Sequence, residues 1–171
     1  MSDNTAIIND AIEAFWRWLE LDGRFGALGL RQFRMTDGNI LPVDAEGGIA
    51  ASDLPAIYVE EIGVTLSTVD GTYAEDMVQI TLVMGVAFSP ESSIGPFPSI
   101  ATAAAVMTIQ DVVSNQEARD TMLGAADFID TFEFTPGRIR PARSRANPRR
   151  ILLWDGAFTV VLGKRRPLPT S

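Results

Sequence analysis

The sequence predicts an α+β fold: an antiparallel sheet with a long hairpin, flanked on one face by two main helices. Three observations lead there. Residues 4–21 set Ile8, Ala11, Ile12, Phe15 and Leu19 at helical spacing. Residues 55–68 and 76–88 read as two strands, the second strictly alternating. Residues 100–115 form a strongly apolar helical run with Ala103, Val106, Met107, Gln110 and Val113 in sequence. A chain of 171 residues fits one domain, 1–171.

Ser2, Asp3 and Asn4 are candidate caps for the first helix, and Gly23 follows its end. Trp16 and Trp18 widen its apolar side. Two readings stay open: both indoles pack inside, or one is exposed and anchors a partner. Residues 22–53 are punctuated by Gly26, Gly29, Gly38, Gly47 and Gly48 and are expected to be an irregular arm or loop. Within it a short strand near 30–35 is expected to pair across the Asp37-Gly38 turn with 39–43.

The central hairpin turns near Val69-Asp70-Gly71-Thr72. On its second strand Val78, Ile80, Leu82, Met84, Val86 and Phe88 share one face, and Met77, Gln79, Thr81, Val83, Gly85 and Ala87 the other. Pro90, Gly95, Pro96 and Pro98 break the chain before Ser99, the expected cap of the next helix. Four alanines at 101, 103, 104 and 105 let that helix lie close to a sheet. A helical piece is expected at 117–126, after which Phe128, Phe132 and Phe134 return the chain to the core. Residues 135–150 read as an irregular, arginine-rich loop. A last strand runs near 151–163, with Asp155-Gly156 either a bulge or a hairpin turn that splits it. Residues 164–171 are expected to be a fraying basic tail.

Charge is segregated along the chain. Residues 138–171 hold nine of the fourteen basic residues and one acid, Asp155, for a formal +8. Residues 1–137 carry the other five bases and 21 acids, for −16, which together give the net −8. Such a chain repels nucleic acid over most of its length and offers one basic strip.

The residue inventory excludes several chemistries. There is no cysteine, hence no disulfide and no thiolate, which suits a reducing cytosol. There is no histidine, the commonest general base and zinc ligand. The one lysine, Lys164, sits in the basic tail, away from any serine motif. Glu60-Glu61 and Glu75-Asp76 are adjacent on strands, so each pair points to opposite faces. No EF-hand loop, Walker motif or dinucleotide fingerprint occurs. The expectation is a protein that is not an enzyme, with no cofactor and no metal. No apolar run reaches the roughly 18 residues of a membrane helix, and Met1-Ser2-Asp3-Asn4 lacks the basic start of a signal peptide.

One constellation stands out: Arg138, Arg140, Arg143, Arg145, Arg149 and Arg150, interrupted by Pro136, Pro141 and Pro148. The prolines argue against an amphipathic membrane helix, and the lack of interleaved aromatics against base stacking. Arginine in place of lysine favours geometry-specific pairing with carboxylates or phosphates. The strip fits a solvated loop, a contact with DNA backbone, or a subunit interface. In the last case it meets the acidic remainder of a neighbouring copy, in head-to-tail contacts that close into a ring.

The order of elements carries a resemblance. An amphipathic helix and glycine-rich arm precede a hairpin entered at Leu54-Pro55-Ala56-Ile57-Tyr58-Val59 and returning through Val78-Gln79-Ile80-Thr81-Leu82-Val83. An alanine-rich helix and a closing strand with Trp154-Asp155-Gly156 complete it. Over most of its length the chain resembles the tail-terminator and minor tail proteins of tailed bacteriophages, in order of elements and not in a diagnostic motif. The resemblance implies a virion subunit of the tail or neck, assembled in the host cytoplasm. It implies a homohexameric ring that caps the tail tube, with the tail tube protein and a head-completion or neck protein as partners. DNA would pass through the lumen without being read. The family has no catalytic residues to transfer. The alternative is a head–tail connector that contacts DNA backbone through the arginine-rich loop.

The alternation itself generates a test. Replacing Leu82 with Asp places a charge in the predicted core and is expected to abolish the cooperative melting transition followed by circular dichroism. A normal transition would refute the core assignment.

Overall fold

The computed structural model describes residues 4–35, 40–45, 49–68, 75–89, 97–115, 117 and 129–167. Its elements run α1 (Asn4–Glu20), α2 (Gly23–Ala27), β1 (Arg31–Phe33), a 3-10 turn (Ala51–Asp53), β2 (Ala56–Thr68), β3 (Glu75–Phe88), α3 (Pro98–Val113), β4 (Thr131–Arg143) and β5 (Ile151–Pro167). The strands form one five-stranded sheet in the order β1-β2-β3-β5-β4. The fold is α+β, as the periodicities predict. The sheet is mixed and not wholly antiparallel, because β1 runs parallel to β2.

β3 is the axis of the molecule. Its even residues, Val78 to Phe88, are all buried against the helices. Ile57 and Val59 of β2 and Phe158, Val160 and Leu162 of β5 extend that face. α1 covers it with Ala11, Ile12, Phe15, Trp18 and Leu19, and α3 with Ala105, Val106, Ile109, Val112 and Val113. Trp16 and Trp18 are both fully buried, so packing wins over the exposed-anchor reading. Trp18 meets Phe132 of β4 at a ring separation of 4.5 Å, an arrangement that adds to plain area burial. Phe132 and Phe134 do return the chain to the core.

α3 can approach β5 because Gly156 has no side chain. A Cβ there would lie 2.8 Å from Thr102 Cγ2 and 2.9 Å from Val106 Cγ2. This corrects the hairpin-turn reading of Asp155-Gly156: β5 runs unbroken through it, and the glycine is a packing site. α3 starts two residues earlier than expected. Pro98 occupies its first position and Phe97 the cap, so Ser99 lies inside the helix.

The arm at 22–53 contains more structure than its glycines suggest. Asp22 caps α2 by accepting from Arg24 N at 2.9 Å. Gly29 then turns the chain at φ 64° into β1. β1 docks on Pro55-led β2, with Arg31 N donating to Pro55 O at 2.8 Å, and not on residues 40–43; the expected Asp37-Gly38 turn lies outside the described residues. Phe33 explains the choice: it is buried on the second face of the sheet with Leu54, Ala56, Ala87 and Leu153, where Leu41 and Ile49 also pack. Arg34 ties this edge to α1 through Glu13, at 3.0 Å, and Glu20, and lies 5.2 Å over the Trp16 ring.

Two further expectations are corrected. Residues 135–143 are not part of an irregular loop, since β4 runs to Arg143; the loop is confined to 144–150. The basic tail does not fray at 164, because β5 continues to Pro167 with Arg165 opposite Met77 and Arg166 opposite Asp76. Helical length at 118–126, Phe128 and the turn at 69–72 lie outside the described residues.

The paired tail has a measurable consequence. Arg165 N donates to Asp130 Oδ2 at 2.7 Å, Arg166 Nη1 donates to Asn4 Oδ1 at 2.6 Å, and Arg166 lies 3.5 Å from Asp76. At about 1 kcal/mol per net hydrogen bond, truncating 165–171 is expected to lower unfolding free energy by about 2–4 kcal/mol in urea titrations. An unchanged midpoint would show that these contacts contribute nothing.

Candidate functional site

The six arginines predicted from sequence are held by the β4–β5 hairpin. β4 is the outer strand, and this position is what its sequence allows. Pro136 and Pro141 have no N–H to give a neighbour, so they fit an edge and not a sheet interior. The pairing register slips between Pro136 and Ile139. Gly137 sits in that bulge, where a Cβ would lie 2.6 Å from the Ala157 carbonyl oxygen.

The connection between the strands is a tied turn. Ser144 N donates to Arg150 O and Arg150 N to Asn147 O, both at 2.9 Å. Ser144 Oγ, buried, accepts from Asn147 N at 3.1 Å, and Asn147 Oδ1 accepts from Arg149 N at 3.2 Å. Arg143 Nη1 reaches the Pro148 carbonyl at 3.2 Å. Three of the arginines (Arg138, Arg140 and Arg143) therefore stand on a strand, and three (Arg145, Arg149 and Arg150) on its turn.

All six are exposed, and none makes an ion pair with a carboxylate among the described residues. Their guanidiniums present planar donor forks outward, the geometry that suits carboxylates and phosphates on another molecule. Exposed apolar side chains occur on α3. α3 begins against Trp154, whose carbonyl accepts from Thr102 Oγ1 at 3.3 Å, and Trp154 pairs with Pro141 of β4. Phe97 at the cap of α3 and Ile100 and Met107 along it are 59%, 62% and 65% exposed. The open side of α3 is mixed, since Gln110 and Asp111 are exposed along with Ile100, Ala104 and Met107.

A second constellation escaped the sequence reading because its partners lie 97 residues apart. Tyr58 of β2 donates its hydroxyl to Asp155 Oδ1 of β5 at 2.6 Å. The ring crosses β3 at Gly85, where a Cβ would fall 2.4 Å from the hydroxyl. Burial drives the Asp155 pKa above the ordinary carboxylate range, while the Tyr58 hydrogen bond and the Arg140 charge pull it down. Burial, with the Asp155 charge, pushes the Tyr58 phenol upward as well. The pair spans three strands on the face away from the helices, and its Asp155 lies opposite Arg140.

Among the described residues no group of three or more metal-ligating side chains comes together, and no helix is long and apolar enough to cross a membrane. The surface clefts near the β2 edge and the arm have volumes of about 270 to 350 Å³. The sequence matches no protein-family model, and no curated protein matches it.

The Tyr58–Asp155 pair predicts a pH dependence. A carboxyl whose pKa is raised in the folded state binds its proton more tightly there than in the unfolded chain. Stability is therefore lost as pH rises from the ordinary value of 3.8 through the folded value, and stays lower above it. Asp155→Asn is expected to flatten that decline in urea midpoints measured from about pH 3 to pH 7. Tyr58→Phe is expected to steepen it, because the hydrogen bond that favours the charged form is gone. Parallel profiles for all three proteins would refute the coupling.

Proposed function

We propose that this chain is a structural subunit that assembles head to tail with copies of itself into a ring. The ring is of the kind that closes the tail tube of a tailed bacteriophage and joins it to the head-side neck. One observation carries the reading: the β4–β5 border gathers six exposed arginines without carboxylate partners among the described residues, in a chain that also leaves Phe97, Ile100 and Met107 of α3 exposed. The arginine border carries the residue type that interfaces favour, and exposed apolar side chains are their usual anchors. The remainder of the chain, formally −16 over residues 1–137, supplies its electrostatic complement. A contact between two different patches of the same chain is heterologous and closes into a ring when its rotation permits. The resemblance in order of elements favours a homohexamer, with the tail tube protein and a head-completion protein on its two sides and DNA in the lumen.

The second reading is a connector that touches DNA backbone. It is favoured by the uniform exposure of arginines on both the strand and the turn, a stripe that can follow phosphates.

The two readings separate in solution. The wild-type mass by light scattering is expected to be that of a ring, and to fall as salt is raised. The double variant Arg143→Glu, Arg145→Glu is expected to keep its melting temperature within about 2 °C, as surface substitutions generally do, and to lose the ring. A particle whose mass ignores both salt and charge reversal would sink the arginine interface. Binding of random-sequence duplex DNA, with an affinity that falls by a log–log slope of about −0.9 per phosphate neutralised, would favour the connector.

A further inference from the structure

The two borders of the sheet are built differently. On the β4 side two prolines, two register slips and three arginines obstruct pairing along much of the strand, the usual protections of an edge. On the other side β1 covers β2 only at Ala56, Ile57 and Tyr58. From Val59 to Thr68 the outer edge of β2 has no strand partner among the described residues. Past Glu60 and Glu61 that edge reads Ile62-Gly63-Val64-Thr65-Leu66-Ser67-Thr68, with no charge and no proline. Seven residues span about 23 Å at strand rise. Val64 and Leu66 are 45% and 58% exposed. On the helix side they line a cleft of about 270 Å³ with Ile7, Ile8 and Val78, and a neighbouring cleft of about 300 Å³ holds Ile8, Ile12 and Ile62. An open backbone row beside apolar recesses is what an added strand uses: main-chain bonds for affinity, recesses for alternate side chains.

We propose that the free β2 edge is completed by the Thr131–Thr135 half of β4 from a second copy of the chain, so that the sheet continues from subunit to subunit. The proposal rests on the assembly reading above and specifies how the copies meet. Three features select this occupant. First, Thr131–Thr135 is the part of β4 that precedes Pro136, so its outward backbone groups are free of proline. Second, the polarity matches. β2, β3, β5 and β4 alternate in direction, so a neighbour's β2 laid beside β4 is again antiparallel. Third, the chemistry is continuous. Phe132 and Phe134 lie on the helix side of β4, and Ile62, Val64 and Leu66 on the helix side of β2. Following the register across the sheet, Glu61 is level with Thr135 and Thr65 with Thr131. Level docking therefore sets Thr135 of one copy beside Glu61 of the next and Pro136 beside Val59, so the proline-free stretch ends at the place where pairing must stop against β1.

The absence of cysteine makes the test direct. Thr65→Cys is combined in turn with Thr131→Cys, Glu133→Cys and Thr135→Cys, and each full-length protein is oxidised and run on a non-reducing gel. A covalent ladder extending beyond the dimer is expected for at least one pair and for none of the single variants. In parallel, Thr65→Lys, which adds a charge to the edge, is expected to weaken assembly at least tenfold by light scattering while leaving the melting temperature unchanged. A ring of wild-type mass that gives no ladder and tolerates Thr65→Lys would overturn the edge pairing and leave the assembly reading standing. A covalent dimer from Thr65→Cys alone would overturn the β4 assignment in favour of a two-fold β2 contact. A monomer at every concentration would overturn both readings.

Discussion

Everything in this molecule leans on the helix-facing row of β3. Six consecutive inward side chains, Val78 through Phe88, are buried. Each is worth about 1.5–3 kcal/mol relative to exposure. That row cannot be covered by one helix. α1 brings two indoles and Phe15, and α3 brings small and branched residues, so the two helices fill spaces of different depth above one sheet. Gly156 sets how near α3 can come. The exposed side of α3 follows from the same fit: a helix pressed onto the sheet by its alanine and valine side must turn Ile100 and Met107 outward.

The same row places the polar features. Because residues alternate across a strand, burying the even positions of β3 forces Gly85 and Ala87 onto the opposite face. There Tyr58 lies across Gly85 to reach Asp155, and the arm packs Phe33 and Leu54 beside Ala87. The far half of that face carries exposed Thr65, Ser67, Gln79, Thr131, Glu133 and Thr135. One face is thus a core, and the other is a short second core that grades into a polar surface.

Charge and edges reinforce each other in the assembly reading. The arginines sit where prolines and a bulge weaken strand pairing, while the uncharged stretch of β2 sits where pairing is open. A chain with six exposed arginines at one border and an uncharged open stretch at the other has two unlike borders. Unlike borders favour contacts that propagate in one direction over symmetric ones. This asymmetry supports the assembly proposal.

The sequence by itself determined the α+β class, α1, the β2–β3 hairpin with its buried row, α3, and the set of six arginines. These are properties of local period and composition, and a period of two or 3.6 is visible without knowing any neighbour. The tertiary structure decided the rest. The arginine segment reads as a loop because Pro136, Pro141 and Gly137 break local strand preference, and only its position as the outer strand makes them compatible with a sheet. Asp155-Gly156 reads as a turn or a bulge, and only the approach of α3 reveals a glycine kept small inside a straight strand. Phe33 finds its partners 21 and more residues away, and Tyr58 finds Asp155 across two intervening strand pairings. The open edge of β2 is likewise a fact of sheet order, since whether a strand has a neighbour is decided by pairings that no local stretch of sequence contains.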